Sequence, residues 1–275
     1  MHLLDRSDYG RASALTDAVP HFLSAQAVIA GAGPGRVWVD DPGGPRATFI
    51  DAPEGFHLIG DPSQEGFGRD VAALYAHTLI PAGRAESWRY SCLHYWPQDW
   101  GKLLRPAIDL PHANWDYQHF LLLRELRIDW RELVPEGFEM LPATAEVLGS
   151  GLGGAEAVDG WGFWSLDDFL QRGFALLLVR DGLIVCRCTA DMVVQGKAEV
   201  GIWTHEDFRG RGFATATAAA AVEFCLQRGI NHIGWHCWSG NAASRRTAEK
   251  VGFEFVLDHH GLELWLGEWR TTGDG

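Results

Sequence analysis

Hydrophobic and polar positions follow two different periods along this chain, which predicts both helices and strands. Over residues 1–30 the apolar positions recur at helical spacing and stop at glycine, and residues 69–80 repeat that pattern. Short β-rich runs bounded by proline, glycine and aspartate predict strands. These runs are at 36–40, 47–51, 56–60, 91–96 and 117–126. The first part of the chain therefore predicts mixed α and β structure.

The pattern becomes clearer towards the C-terminus. The stretch 134–160 is rich in glycine and alanine and predicts a short helix and a loop. Ser165 is placed to cap the helix that follows, and Asp181-Gly182 is a two-residue hairpin signal. Strands are predicted at 174–180, 183–194, 197–205 and 230–238, helices at 213–228 and 241–252, and a final strand pair at 253–269. The prediction is an α/β (α+β) fold with an N-terminal domain at 1–128 and a C-terminal domain at 129–275.

Composition narrows the class of protein. The chain has 275 residues, of which 47% are hydrophobic, and this is enough for a buried core. A net charge of -13 argues against a nucleic-acid partner, although Arg209 and Arg211 form a local basic patch. The five cysteines have no regular framework, which predicts reduced thiols and no metal site. No signal sequence or apolar run of ~20 residues is found, so we expect a cytoplasmic protein without a membrane partner.

The segment Arg209-Gly210-Arg211-Gly212-Phe213-Ala214 lies between a predicted strand and a predicted helix. Glycines permit a tight turn and a close approach of a ligand to the backbone. The first N–H groups of a helix lack partners and carry partial positive charge, so an anion such as a pyrophosphate fits there. The alternative is a plain turn that starts a helix and exposes two solvated arginines.

The surrounding residues favour the anion site. Arg209, Gly212 and Ala214 satisfy the pattern Arg/Gln-x-x-Gly-x-Gly/Ala, which resembles the acyl-coenzyme A pyrophosphate loop of the GNAT N-acetyltransferase superfamily. Asn241 to Phe253 resembles the second motif of that superfamily, an asparagine, a helix and Lys-x-Gly-Phe. The resemblance covers roughly residues 130–270. It implies a GNAT fold for the C-terminal domain, with a mixed central sheet flanked by helices, and acetyl-coenzyme A as acyl donor.

A longer pattern resembles the zwittermicin A resistance-type branch of the superfamily, which carries an N-terminal α/β extension and implies a role in antibiotic resistance. The matching residues are Thr204, Phe208, Arg209, Gly210, Gly212, Ala214, Trp235, Asn241, Ser244, Ala248, Lys250, Gly252 and Phe253. The N-terminal part has no recognisable motif of its own. It is interpreted as an α/β domain or as a degenerate GNAT-like half.

The resemblance also implies site residues. The donor would contact Ile202, Trp203, Thr204, Arg209, Gly210, Arg211, Gly212, Phe213, Ala214, Thr215 and Asn241. An amine acceptor attacks the thioester directly in a ternary complex, so a base must first remove its proton. Glu199 lies on the strand where many members of the superfamily place a carboxylate, and alternation puts it on one face with Gly201 and Trp203. A structural glutamate is the alternative.

One position departs from the superfamily. Many members use a tyrosine in the second motif to protonate the leaving thiolate, and this chain has Ala248 there. Ser244 is the candidate replacement; water, an unprotonated thiolate and a purely structural Ser244 are the alternatives. Trp161, Trp164 and Trp203 are candidates to line a cleft for a small-molecule or peptide amine. A coenzyme A-binding regulatory module without catalysis is the alternative function.

Overall fold

The computed structural model describes residues 1–111, 113–115 and 117–266. The chain forms two compact units, one of residues 1–118 together with the chain from 258 onward, the other of residues 119–257. Two strands, β7 (Tyr117–Leu123) and β13 (Phe253–Trp265), have residues in both units. Among the described residues no helix combines the length and the apolar character that a membrane span requires.

The first unit contains a mixed sheet in the order β1–β2–β3–β4–β5–β13. Only β4 and β5 are parallel; the other neighbours in this order are antiparallel. The strands are β1 (His2–Leu3), β2 (Arg36–Val39), β3 (Ala47–Ala52), β4 (Gly55–Gly60), β5 (Tyr90–Trp96) and the short β6 (Ala113–Asn114), which pairs with β13. The helices are α1 (Ser13–Asp17), α2 (Leu23–Ile29), α3 (Glu65–Leu74), α4 (Ile80–Ala85) and α5 (Gly101–Ala107), with a π-helical turn at Tyr75–Leu79.

Both faces of this sheet are covered because its strands carry apolar residues on both sides. Phe49 and Leu58 pack with α3 and α5 on one face. Val37 and Ile50 pack with residues of α1, α2 and the preceding 3₁₀ turn on the other. Strands that are buried on both faces read as nearly continuous apolar runs, which is why the sequence pattern located them well.

The second unit contains a mixed sheet in the order β7–β12–β11–β10–β9–β8. Its strands are β8 (Glu139–Pro142), β9 (Ala175–Arg180), β10 (Leu183–Val194), β11 (Lys197–Thr204) and β12 (His232–Trp238). Its helices are α6 (Ala145–Gly149), α7 (Leu166–Arg172), α8 (Phe213–Gln227) and α9 (Ala242–Val251). β8 to β11 form antiparallel pairs, and β12 is parallel to β11.

Helix α8 forms the centre of this unit. Its run from Ala216 to Val222 is buried against Ala198 and Val200 of β11. The small side chains let the helix pack close to the sheet, as the sequence predicts. Helix α9 adds Ala248 and Val251 to the same core.

The predicted fold class is confirmed, with mixed sheets flanked by helices in both units. Ser165 caps α7 by accepting from the Asp168 N–H, and Asp181-Gly182 forms the predicted hairpin with positive φ at both residues. The predicted strand pair at 253–269 is wrong, because β13 is a single strand whose residues 260–265 pair antiparallel with β5. Residues 267–269 of that prediction lie outside the described residues. Strand β8 lies within residues 134–160, for which the sequence predicts only a short helix and a loop.

The two units share an order of elements. In each unit, three antiparallel strands are followed by a helix and then by a strand that is parallel to the third strand. These elements are β2, β3, β4, α3 and β5 in the first unit. In the second unit they are β9, β10, β11, α8 and β12. The parallel pairs differ in extent. The pairing of β4 with β5 continues to Ile59 and Trp96, whereas that of β11 with β12 stops at Glu199 and Gly234.

Candidate active site

Strands β11 and β12 separate from each other at the centre of the second unit. The last pair in their register is Glu199 with Gly234, yet β11 continues to Thr204 and β12 to Trp238. On its other side β11 stays paired with β10 up to Thr204, so the sheet opens on one side only. Backbone groups of 200–204 that face the opening are therefore available to an extended ligand. The predicted donor residues Ile202, Trp203 and Thr204 lie on this stretch.

The predicted anion cradle follows directly. Gly210 and Gly212 have φ of +75° and +83°, a backbone conformation that favours glycine, and an added Cβ at either would meet nothing within 4 Å. Gly212 is the N-cap of the 15-residue helix α8 and supplies no side-chain cap. The N–H groups of the first turn, from Phe213 to Thr215, point out of the helix without intrahelical partners. Open space in front of uncapped N–H groups fits a phosphate-bearing donor.

Two arginines add full positive charge at this helix end. The Arg209 Nε donates to the Thr204 carbonyl at 3.3 Å, and an Arg211 Nη donates to the Asp207 carbonyl at 2.9 Å. Both side chains are exposed, and among the described residues neither is within ion-pair distance of a carboxylate. Their charges are therefore not neutralised by the protein and complement an anion.

Aromatic packing holds the loop in place. Phe213 is 3% exposed and lies 4.7 Å from the ring of Phe138, while Phe208 lies 6.2 Å from Phe138 and beneath the guanidinium of Arg211. The side chain of His205 accepts a hydrogen bond from the Asp207 N–H. The loop is thus fixed at both ends, which preorganises the N–H groups of α8.

Glu199 lies next to the point where the strands part. It is 2% exposed, and its Oε1 is hydrogen-bonded to Nδ1 of His236, two residues beyond Gly234 on β12. The His236 ring packs 5.0 Å from Phe120 of β7. An ionised Glu199 fixes the proton of His236 on Nδ1, so the two side chains form a hydrogen-bonded acid–base pair inside the sheet opening.

The second predicted motif is held by α9. The Asn241 side chain caps this helix by accepting from the Ser244 N–H at 3.0 Å. The Ser244 hydroxyl accepts from the indole N–H of Trp235 at 2.9 Å. Burial raises the pKa of the Cys237 thiol, and the neighbouring Ser244 side chain opposes that shift. Ala248 is fully buried in the core, so this position presents no group to a leaving thiolate.

A polar surface accompanies Glu199 on one face of β10 and β11. Arg187, Thr189 and Asp191 alternate along β10 with buried residues of the core. The Asp191 carboxylate lies above Gly201, where an added Cβ would be 2.7 Å from its oxygens. The Arg187 guanidinium lies 4.5 Å from the ring of Trp203. The predicted alternation of Glu199, Gly201 and Trp203 is confirmed, since Ala198, Val200 and Ile202 face the core on the other side.

The loop 159–164 borders this face. Gly162 packs directly on the Asp191 carbonyl, because an added Cβ would lie 2.0 Å from that oxygen. Trp161 and Trp164 are 48% and 44% exposed, and Trp203 is 36% exposed. Three large aromatic surfaces thus remain open to solvent in the unit that carries Glu199.

The structure brings together most of the predicted residues and adds others. Glu199, the strand 202–204 and the loop 209–215 adjoin the same opening, and Asn241 and Ser244 lie at the start of α9 after β12. Sequence reasoning missed the pairing of Glu199 with His236 and the side chains of Arg187 and Asp191. The strict alternation of Cys186 to Asp191 was the available signal, since polar residues occupy every second position.

Comparisons with known proteins agree with this geometry. The family model described as GNAT acetyltransferase matches residues 14–261. A relative from Bacillus subtilis (strain 168), the uncharacterized N-acetyltransferase YdfB, is 25% identical over 234 residues and covers 82% of this chain and 84% of its own. The chain belongs to the GNAT acetyltransferase family and is a transferase that moves acyl groups.

Solved structures share the fold. A GCN5-related N-acetyltransferase-like protein from Streptococcus suis 89/1591 superposes with a TM-score of 0.72 at 20% identity, covering 95% of this chain and all of its own. A tandem GNAT protein from the clavulanic acid biosynthesis pathway superposes with a TM-score of 0.59 at 15% identity, covering 98% and 100%. At these identities the likeness shows the fold alone.

Proposed function

We propose that the protein is an acetyl-coenzyme A-dependent N-acetyltransferase that acetylates a primary amine of a small molecule or peptide in a ternary complex. One observation carries this proposal. Strand β11 separates from β12 beside the buried Glu199–His236 pair, and the chain then leads to the uncapped start of α8, where two arginines are not neutralised. An anion site, an open strand edge and a proton acceptor are the groups that this reaction needs.

The donor would bind along the opening. Its pyrophosphate would lie on the N–H groups of Phe213 to Thr215, with Arg209 and Arg211 beside it, and its pantetheine arm would follow the free edge of residues 202–204. Acetyl-coenzyme A supplies the acetyl thioester. A backbone N–H of the same strand edge would stabilise negative charge on the thioester oxygen.

Glu199 and His236 would handle the proton. An ammonium group cannot attack a thioester, so the acceptor must lose a proton first. Because Glu199 is only 2% exposed, it would act through a water molecule, with His236 sharing the proton. Ser244 is our candidate for proton return to the thiolate, since its hydroxyl is oriented by the Trp235 indole.

The two units would then have different roles. We assign the reaction to a C-terminal GNAT domain and treat the N-terminal part as a GNAT-like half without a donor site. Its strands β4 and β5 remain paired to Ile59 and Trp96, and the loop after β4 carries Asp61, which forms an ion pair with Arg46. Closed strands and a carboxylate at this position disfavour a bound pyrophosphate.

The test is release of free thiol from acetyl-coenzyme A with a panel of amines that includes monoamines, polyamines, amino-sugars, amino acids and peptides. We expect turnover with part of the panel and calorimetric binding of coenzyme A. Binding of neither coenzyme A nor acetyl-coenzyme A, together with no turnover, would refute the proposal.

The second candidate is a coenzyme A-binding regulatory module without catalysis. The burial of Ala248, where many family members present a tyrosine, favours it. This candidate predicts that coenzyme A binds while no amine in the panel is acetylated. The same pair of measurements therefore separates the two functions.

A further inference from the structure

Arg187 is an unusual cation on the face that carries Glu199. Its side chain is half-buried on β10 and lies against Trp203 of β11, with 4.5 Å between the guanidinium carbon and the ring centroid. Among the described residues no hydrogen bond or ion pair reaches this guanidinium. Asp159 and Glu156 attract it electrostatically, but neither forms an ion pair with it.

A guanidinium in this position has unmet bonding capacity. It presents five N–H donors in a planar fork that matches a carboxylate or a phosphate. Partial removal from water makes those donors costly to leave unpaired. Burial lowers the pKa of Arg187, and Asp159 opposes that shift, but the group stays charged at neutral pH. The position is therefore suited to an anionic group supplied from outside the chain.

A β-bulge brings Arg187 to this face. From the turn at Gln195-Gly196, β10 and β11 pair regularly until Met192 faces Glu199, and the register then shifts by one residue at Asp191. Without the shift, Arg187 would lie opposite Thr204 and point into the core. With it, Arg187 lies opposite Trp203 and shares the face of Glu199. A bulge that re-aims a polar side chain beside a reaction centre is a common functional device.

Spacing along the strand sets the size of the ligand. Trp203 and Glu199 are four residues apart on β11, which corresponds to about 13 Å. The Asp191 carboxylate lies between them above Gly201. The sequence of charges along this face is thus positive at Arg187 and negative at Asp191 and Glu199.

We propose that the acceptor carries an anionic group, a carboxylate or a phosphate, which Arg187 binds against the face of Trp203 while the amine lies near Asp191 and Glu199. This inference rests on the proposed acetyltransferase function and specifies its substrate class. Arg187 is a specificity-determining residue, and the amine and the anion of the acceptor would be separated by roughly 6–12 Å, within the strand distance between Trp203 and Glu199.

Matched substrates test this directly. We would measure kcat/KM for 4-aminobutanoate, 6-aminohexanoate and 8-aminooctanoate, each against its own carboxamide, which keeps the amine and the length but removes the charge. The wild type is expected to prefer the carboxylate by about tenfold or more at one of these lengths, since a charge-assisted hydrogen bond contributes about 1.5–3 kcal/mol.

Variants separate binding from structure. Arg187→Met should reduce the preference to about twofold or less, because it lowers kcat/KM for the carboxylate far more than for the carboxamide, and Arg187→Lys should restore part of the preference. Arg180→Met is the matched control, because Arg180 also lies over an aromatic ring, that of Phe138, on the neighbouring strand. It should behave as the wild type.

A second measurement does not depend on turnover. Calorimetry of hexanoate and hexanamide with the coenzyme A-loaded protein should show binding of the carboxylate alone, lost in Arg187→Met. Carboxylate-selective binding without acetylation of any amine would support the anion site at Arg187 and refute the proposed function. Acetylation of amines without carboxylate preference would overturn the anion site at Arg187. An equal loss of kcat/KM with the carboxylate and the carboxamide in Arg187→Met would overturn it as well.

Discussion

Gly212→Ala tests the anion cradle at the start of α8. Gly212 has φ of +83°, where an alanine costs about 1–2 kcal/mol, and the new methyl group meets no protein atom within 4 Å. The folded protein should therefore tolerate it, with a loss in Tm of about 2–4 °C per kcal/mol. The methyl group would, however, lie in the open space in front of the helix that the pyrophosphate is proposed to fill.

The matched control is at the other end of the same helix. Gly229 follows α8 with φ of +75°, and an added Cβ there also meets nothing within 4 Å. Gly229→Ala should lower Tm by the same amount because it carries the same backbone strain. Only Gly212→Ala should weaken coenzyme A binding, by about 10- to 100-fold if one charge-assisted hydrogen bond worth about 1.5–3 kcal/mol is lost.

Two assays read out this pair. Calorimetry gives the Kd for coenzyme A, and thermal denaturation with and without coenzyme A gives the stabilisation that binding adds. Equal coenzyme A affinity in the two variants would show that the space before α8 is not part of the donor site. A much larger Tm loss in Gly212→Ala alone would show that the glycine has a packing role which its open surroundings do not reveal.

Three further predictions concern single residues. Glu199→Gln should lower kcat by about 10²- to 10⁴-fold with an unchanged Kd for coenzyme A, and turnover that survives across the pH range would remove Glu199 as the base. Ser244→Ala should lower the free energy of unfolding, measured by urea denaturation, by about 1–3 kcal/mol because the Trp235 N–H loses its acceptor. A loss of kcat beyond tenfold would support proton return by the hydroxyl, and an unchanged kcat would assign Ser244 a structural role alone. Gly252→Ala should destabilise the fold by more than about 4 kcal/mol, since its Cβ would lie 1.6 Å from the Glu125 carbonyl oxygen; soluble protein with a wild-type melting curve would contradict this.

Local patterns predicted the elements around the site well. The hairpin at Asp181-Gly182, the strand before Arg209 and the helix terminated before Gly229 all depend on neighbouring residues, so the chain alone indicates them. The position of Glu199 on a face with Trp203 follows from simple alternation. These features need no knowledge of which strand lies next to which.

Features that depend on register could not be predicted in the same way. The bulge at Asp191 has no sequence signal of its own, and regular pairing from the turn at Gln195-Gly196 would have turned Arg187 into the core. The contact of Glu199 with His236 joins strands separated by a helix and a loop, so only the parallel pairing of β11 with β12 reveals it. The same limit explains β13, which continues as one strand because its residues 260–265 pair with β5, a strand far away along the chain.

The two exposed arginines of the loop also affect how ligands arrive. The chain carries a net charge of -13, so an anionic donor approaching from a distance is repelled and is attracted only within reach of Arg209 and Arg211. Salt shortens that reach to a Debye length of about 8 Å at physiological ionic strength. Added salt should therefore weaken long-range repulsion and short-range attraction together, and these two changes act on donor encounter in opposite directions. An acceptor with one ammonium and one carboxylate group has no net charge, so its encounter rate should change little with salt.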